Sequence, residues 1–168
     1  MTKKIFWQNP YLTELETTVQ TVFSVQITLA ETIFYAFSGG QESDSGTIGG
    51  YQVLKAHKAD KEIYYTITHK HKLNVGDKVK IIIDWERRYK LMRLHFAAEV
   101  VLELVCQKFP DILKVGAHIS QDKARIDFKW DHNLSYSLQA LEQDVQKIID
   151  SNQVVISAFS DEKTEKRY

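Results

Sequence analysis

The hydrophobic pattern of this 168-residue chain changes its period at Asp84. Before Asp84, short segments with alternating apolar residues are separated by turn residues, which is typical of β-strands. Residues 79–83 form the last of these segments and are largely apolar. After Asp84, apolar residues recur every three or four positions as far as Lys108, and Pro110 follows. This second pattern predicts one long helix.

The first half of the chain is expected to form a small β-barrel, because several short strands are separated by regular turns. The predicted strands cover residues 13–28, 32–37, 51–57, 62–69 and 78–85. Between residues 38 and 50 lies a loop that holds five of the seven glycines, which marks backbone with special conformational needs.

The second half alternates between the two kinds of pattern. Residues 115–120 and 124–130 predict a hairpin, Asn133 or Ser135 can cap a helix that runs to about residue 151, and residues 154–159 predict a last strand. The expected fold class is therefore α+β, with a β-barrel domain over residues 1–88 and an α+β domain over residues 89–168.

Composition excludes few functions. Hydrophobic residues make up 43% of the chain, and the formal net charge is zero. Cys106 is the only cysteine, so neither an intrachain disulfide nor a multi-cysteine zinc motif can form. The sequence has no apolar run near 18 residues and no signal-peptide pattern. We expect a cytoplasmic protein that does not enter a membrane.

The middle of the chain is basic. Residues 55–93 contain eight lysines and three arginines against five acidic residues. Such a segment can face phosphate, or it can be a set of solvated strand faces. The arginines at positions 87, 88 and 93 have the same two interpretations, since each can bind phosphate or pair with a nearby acid such as Asp84, Glu86 or Glu103.

His95 and Glu99 lie one helical turn apart on the predicted helix. Residues at this spacing share one face, with side chains about 6 Å apart. An imidazole and a carboxylate placed in this way can bind one divalent cation, and a bound cation can activate water. The same spacing also suits a simple surface pair, so both interpretations stay open.

Three segments together resemble one family, the alanyl-tRNA editing proteins, which are stand-alone relatives of the editing domain of alanyl-tRNA synthetase. In this chain the segments are residues 34–41 with Asp44 and Gly46, residues 84–88 with residues 92–95, and residues 125–128. The first is similar to the family's Gly-Gly-Gly-Gln loop, with Ser38 at the first glycine position. The second is similar to its barrel-to-helix junction, and the third to a strand of its catalytic half.

The resemblance implies a β-barrel followed by an editing-type α+β domain that binds zinc. The family's ligands are a His-x-x-x-His pair on the long helix and a Cys-x-x-x-His pair farther on. His95 matches the first ligand, and Glu99 stands at the second, where a carboxylate is still an acceptable ligand. The second pair is absent from the 168 residues, so the editing-like domain is expected to be C-terminally short. Cys106 lies roughly 16 Å along the helix from His95, too far to take the place of the missing cysteine in the same site.

The resemblance also implies a function. It predicts a trans-editing aminoacyl-tRNA deacylase that removes serine or glycine from mischarged tRNA(Ala) by metal-assisted ester hydrolysis and contacts the acceptor end. Gly39, Gly40 and Gln41 would line the pocket, and Arg87, Arg88 and Arg93 would bind the tRNA. The alternative interpretation of the glycines is a flexible hairpin loop. The alternative function is a non-catalytic module that binds the tRNA end and has lost half of its zinc site.

Overall fold

The computed structural model describes residues 1–156. Within this range the chain forms ten β-strands, two α-helices and two short 3-10 helices. The strands are β1 (Lys3–Lys4), β2 (Glu14–Phe23), β3 (Gln26–Leu29), β4 (Glu31–Thr32), β5 (Gly46–Ile48), β6 (Tyr51–Ala59), β7 (Glu62–Ile67), β8 (Lys78–Ile83), β9 (Leu113–Ile119) and β10 (Ala124–Lys129). The helices are α1 (Trp85–Lys108) and α2 (Leu138–Asp150), and the 3-10 helices are Ile5–Trp7 and Leu134–Ser137.

Six strands form a closed barrel in the order β2-β3-β7-β6-β5-β8. All the pairings around the ring are antiparallel. Burial alternates along the strands, as the pleat requires. In β8, for example, Val79, Ile81 and Ile83 are buried while Lys78 and Lys80 are exposed. The predicted mixed class, with a sheet-rich first half and two helices, is confirmed.

The predicted strand at residues 32–37 is not regular. Strand β4 ends at Thr32, and residues 33–36 run through the core without a ladder. Side chains satisfy part of this backbone instead. The Phe34 N–H donates to Thr32 Oγ1 at 3.0 Å, and the Tyr35 N–H donates to Asp44 Oδ2 at 2.6 Å. The apolar pattern thus predicted correctly that this segment is buried. Its backbone forms these hydrogen bonds in place of the expected strand pairing.

Helix α1 begins where the sequence predicted. The Asp84 carboxylate accepts a hydrogen bond from the Arg87 N–H at 3.1 Å and so caps the first turn. Farther along, Leu91 and Ala98 of α1 pack with Ile119 of β9 in a second apolar cluster. This cluster attaches the helix to the antiparallel β9–β10 hairpin, and both belong to the same compact unit as the barrel.

A buried ion pair joins the start of α1 to the loop before β5. The Arg88 side chain is only 3% exposed, and its guanidinium forms a double contact with the Asp44 carboxylate, with Nε and Oδ1 2.7 Å apart. The same guanidinium donates to the carbonyl oxygens of Pro10 at 3.0 Å and Ile33 at 2.5 Å. Arg88 therefore links three separate chain segments to the helix.

Two compact units divide the described chain, and the first ends at Trp130. The predicted boundary between residues 88 and 89 falls inside this first unit, because Arg88 and the face of α1 fasten the helix to its neighbours. The second unit contains α2, with Leu141 as its buried residue.

At the end of the described range, residues 154–156 are exposed and form no strand. The remainder of the strand predicted at 154–159 lies outside the described residues, as does the polar tail. Within residues 1–156, no helix combines the length and the apolar character that are needed to cross a bilayer.

Breaking the Arg88–Asp44 pair should destabilise the fold strongly. In Asp44→Asn, an amide group would replace one carboxylate oxygen and leave a buried guanidinium without its counter-charge. We expect the free energy of unfolding to fall by about 3–5 kcal/mol. The matched control is Asp127→Asn, which breaks the exposed Arg125–Asp127 pair and should cost about 1 kcal/mol or less. Urea denaturation of both variants measures the difference, and equal losses would contradict the assignment.

The fold should lose stability at alkaline pH because of Tyr65. Burial raises the pKa of the Tyr65 phenol above its ordinary value near 10. The folded state therefore keeps a proton that the unfolded state releases, so stability declines as pH rises above 10, by up to about 1.4 kcal/mol per pH unit. Tyr65→Phe should flatten this decline, whereas Tyr136→Phe, at a 90% exposed position, should leave it unchanged. Thermal unfolding between pH 9 and 11.5 checks the slopes; parallel curves for all three proteins would exclude Tyr65 as the cause.

Candidate functional site

The glycine-rich loop begins with a tight two-residue turn. Ser38 and Gln41 exchange backbone hydrogen bonds of 3.3 and 3.0 Å across Gly39 and Gly40. Both glycines have positive φ angles, +59° and +81°, which side chains disfavour. The turn itself therefore favours glycine at both positions.

The turn is docked on the end of β9. The Ile119 N–H donates to the Gly40 carbonyl at 2.9 Å, and the Glu42 N–H donates to the Ile119 carbonyl at 2.9 Å. A Cβ atom at Gly40 would lie 2.3 Å from the carbonyl oxygen of Ala117. The loop thus approaches β9 too closely for any side chain, and these contacts argue against the flexible-loop interpretation.

His95 of α1 meets this loop through Gln41. The Gln41 side chain is 5% exposed, and its Oε1 lies 2.5 Å from His95 Nδ1. An amide oxygen can only accept, so Nδ1 carries the proton and donates it. In the neutral ring, Nε2 is then the unprotonated nitrogen. Gln41 therefore sets the tautomer and the orientation of His95, a role different from the predicted direct contact with the ligand.

Glu99 lies beside the free nitrogen of His95. Its Oε1 is 3.6 Å from His95 Nε2. The His95 side chain is 41% exposed and the Glu99 side chain 53%. This separation is close to that between two ligands of one tetrahedral zinc ion, roughly 3.3 Å. The pair therefore fits two ligand positions of such an ion. Residues 1–156 contain no cluster of three or more His, Cys, Asp and Glu side chains that could bind a metal.

Arg87 supports the loop from the other side. Its Nη2 donates to Glu42 Oε2 at 2.7 Å, its Nε to the Ser43 carbonyl at 3.1 Å and its Nη1 to Gln121 Oε1 at 3.1 Å. Glu42 Oε1 also lies 3.5 Å from His118 Nε2. Arg87 thus ties the loop to the turn between β9 and β10, and its charge is already paired.

The three arginines predicted to bind tRNA have different environments. Arg88 is buried in its ion pair with Asp44, so no phosphate can reach its guanidinium without breaking that pair. Arg88 is therefore not available to bind tRNA, contrary to its predicted role. Arg93 is exposed, and its guanidinium lies 5.8 Å from the centre of the Tyr89 ring. Of the three, only Arg93 presents a side chain that is both exposed and not engaged in an ion pair with another of residues 1–156.

The structure thus brings together Gly39, Gly40, Gln41, His95 and Glu99, while Arg87 braces the loop from outside. The Gln41–His95 contact could not be seen in the sequence, because the two residues are 54 positions apart. Neither the glycine loop nor the spacing of His95 and Glu99 on the helix indicates that they meet. The approach of His118 to Glu42 likewise depends on the docking of β9 against the loop.

Comparison with known proteins identifies a family for the chain. Residues 3–87, which include the barrel and the start of α1, match the family model described as tRNA synthetases class II (A). The match covers the barrel, the glycine loop and the first residues of the helix. It stops short of His95 and Glu99.

Curated relatives cover more of the chain. The alanyl-tRNA editing protein AlaX-M of Pyrococcus horikoshii is 34% identical over 138 residues, 80% of this chain and 64% of that protein. AlaX-M of Methanosarcina mazei is 37% identical over 140 residues, 76% of this chain and 55% of that protein. The chain thus spans less than two thirds of the length of either.

A third relative is a much longer protein. The alanine–tRNA ligase of Methanococcus maripaludis strain C7 is 30% identical over 162 residues, 95% of this chain but only 18% of the ligase. Its match includes both the barrel and the helix that carries His95. On the family model, the chain belongs to the tRNA synthetase class II (A) family, and over most of its length it is similar to alanyl-tRNA editing proteins.

Proposed function

We propose that this chain hydrolyses the ester bond between tRNA(Ala) and a wrongly attached amino acid, and so acts as a trans-editing aminoacyl-tRNA deacylase. The observation that carries the proposal is the contact between Gln41 and His95, which holds an imidazole nitrogen beside Glu99 at the edge of a rigid glycine turn. The names of the relatives, alanyl-tRNA editing protein and alanine–tRNA ligase, support tRNA(Ala) as the substrate.

The side chains suit ester hydrolysis in a specific way. His95 Nε2 carries a lone pair when the ring is neutral, since Nδ1 donates to Gln41. A lone pair held beside the Glu99 carboxylate can bind a cation or accept a proton from water. The buried Gln41 amide prevents rotation of the ring, so the nitrogen keeps its direction during turnover.

Zinc is the cofactor that the family resemblance implies, and His95 and Glu99 are the residues that would hold it. A bound zinc ion lowers the pKa of a coordinated water and polarises a carbonyl group. Two protein ligands leave several positions to water, so this chain alone should bind the ion weakly. The amino acids proposed for removal are serine and glycine, on the same resemblance.

A non-catalytic module that binds the end of tRNA is the second candidate. One observation favours it: within residues 1–156, His95 and Glu99 supply only two donors, fewer than a zinc site that survives dialysis requires. This candidate predicts RNA binding that loses about one decade of affinity per decade of salt for each phosphate contact. It also predicts that the purified protein retains no metal and releases no amino acid.

The first test is serine release from seryl-tRNA(Ala) with added zinc. Wild-type protein should release serine, and His95→Ala should lower the rate by at least about a hundredfold, because the imidazole that Gln41 orients is lost. His69→Ala is the matched control, since that histidine is exposed after β7. Serine release with zinc supplied separates the two candidates, because the non-catalytic module would release none. If wild type and His95→Ala hydrolyse the ester equally, or are equally inert, the deacylase proposal fails for this chain.

The second test isolates the orienting role of Gln41. Gln41→Ala should reduce kcat by about 10–100-fold with little change in KM, because the substituted side chain acts through His95 rather than on the tRNA. Gln107→Ala is the control, an exposed glutamine-to-alanine change on α1 that should leave both constants unaltered. A rise in KM at constant kcat would instead show that Gln41 contacts the substrate directly.

A further inference from the structure

Helix α1 carries aromatic residues on the face opposite to its buried side. Its buried positions include Leu91, Ala98 and Leu102. On the other face, positions 85, 89, 93 and 96 recur every three or four residues and share one side of the helix. They are Trp85, Tyr89, Arg93 and Phe96. An amphipathic surface helix would have polar residues on this exposed face. The packing of α1 against its neighbours therefore does not explain the aromatic residues there.

The first two of these rings contact each other and a tyrosine from the N-terminal segment, and Phe96 follows seven positions after Tyr89 on the same face. Tyr11 and Trp85 have ring centres 5.8 Å apart, and Trp85 stacks on Tyr89 at 5.6 Å with an angle of 29° between the planes. Three of the rings are open to solvent, since Tyr11 is 62%, Tyr89 44% and Phe96 52% exposed, and Trp85 is partly buried. We call these four residues, Tyr11, Trp85, Tyr89 and Phe96, the aromatic row.

Positive charge accompanies the row. The Arg93 guanidinium lies 5.8 Å from the centre of the Tyr89 ring, at a distance typical of a cation–π contact, and forms no ion pair with any of residues 1–156. The other cation nearby, Lys90, is already paired with Glu86 at 2.8 Å. An aromatic row with one uncompensated guanidinium complements a ligand with flat rings and negative charges.

The row ends beside the proposed site in the sequence of α1. From Trp85 to Phe96 it follows the helix for roughly 17 Å, about the length of five stacked nucleotides at 3.4 Å each. Phe96 follows His95 directly in the sequence, so the end of the row lies on the helical turn that carries the imidazole. Successive residues of a helix are about 100° apart, so His95 lies on the adjacent side of α1, and a strand of RNA bound along the row would end near it.

We infer that the aromatic row is a stacking surface for unpaired RNA nucleotides and that Arg93 contacts their phosphates. The inference rests on the proposed function, because it takes the bound RNA to be the single-stranded end of the substrate. Stacking on aromatic rings tolerates any base, and so the surface provides affinity rather than sequence readout. The contacts among Tyr11, Trp85 and Tyr89 and the exposure of Tyr11, Tyr89 and Phe96 support this role.

The test measures the affinity of the whole chain for a fluorescein-labelled 12-nucleotide RNA of mixed sequence, without an aminoacyl group, by anisotropy. Wild type should bind this strand more tightly than a blunt duplex of the same sequence. Tyr89→Ala and Phe96→Ala should each weaken binding by about tenfold, since one stacked base contributes about a decade or more of affinity. Tyr89→Phe should retain it, and Arg93→Gln should reduce the slope of log affinity against log salt by about one.

Phe23→Ala is the matched control, because Phe23 is an 80% exposed aromatic residue on the barrel strand β2. It should bind RNA as wild type does, and thermal unfolding confirms that every variant is folded. Wild-type affinity in both Tyr89→Ala and Phe96→Ala would overturn the inference. So would a wild-type dimer that these variants dissociate without a change in RNA affinity, since a second copy of the chain would then cover the row.

The two proposals can fail separately. The oligonucleotide contains no ester, so an inert protein that still binds it through the row would contradict only the deacylase proposal. An active deacylase whose RNA affinity is insensitive to Tyr89 and Phe96 would contradict only the stacking surface.

Discussion

The buried pairing of Arg88 with Asp44 is the interaction on which the arrangement of the site depends. A guanidinium taken out of water requires a counter-charge and hydrogen-bond acceptors for its remaining N–H groups. Asp44 supplies the charge, and the carbonyl oxygens of Pro10 and Ile33 supply two further acceptors. Because these groups come from different segments, satisfying one side chain fixes the start of α1 against the core and the glycine loop at once.

The position of His95 follows from that anchor. Two helical turns beyond Arg88, the imidazole reaches the loop at the level of Gln41, and the loop itself cannot move away because Gly40 is docked on β9. Arg87 adds a second brace through Glu42 and Ser43. Arg88 and Arg87 therefore both hold the glycine loop against α1. His95 and Glu99 are the partly exposed side chains beside this contact that remain available for chemistry.

Much of the fold could be predicted from local chemistry. The cap at Asp84, the positive φ angles at Gly39 and Gly40, and the alternation in β8 all follow from neighbouring residues. The partners of the arginines could not be predicted in the same way. Arg87 and Arg88 are adjacent in sequence and alike in chemistry, and their different environments arise only when the helix docks at one rotation about its axis. The buried acceptor of Arg88 lies 44 residues away, beyond the reach of any spacing rule.

The tautomer of His95 tests the central claim most directly. Two-dimensional ¹⁵N–¹H correlation through the ring protons distinguishes a protonated nitrogen from an unprotonated one in the neutral imidazole. If Gln41 orients the ring, the wild-type protein carries a proton on Nδ1 and none on Nε2, and replacing Gln41 by alanine gives a mixture of tautomers. A proton on Nε2 in the wild-type protein, unaffected by that replacement, would show that the loop does not orient the histidine and would contradict the account.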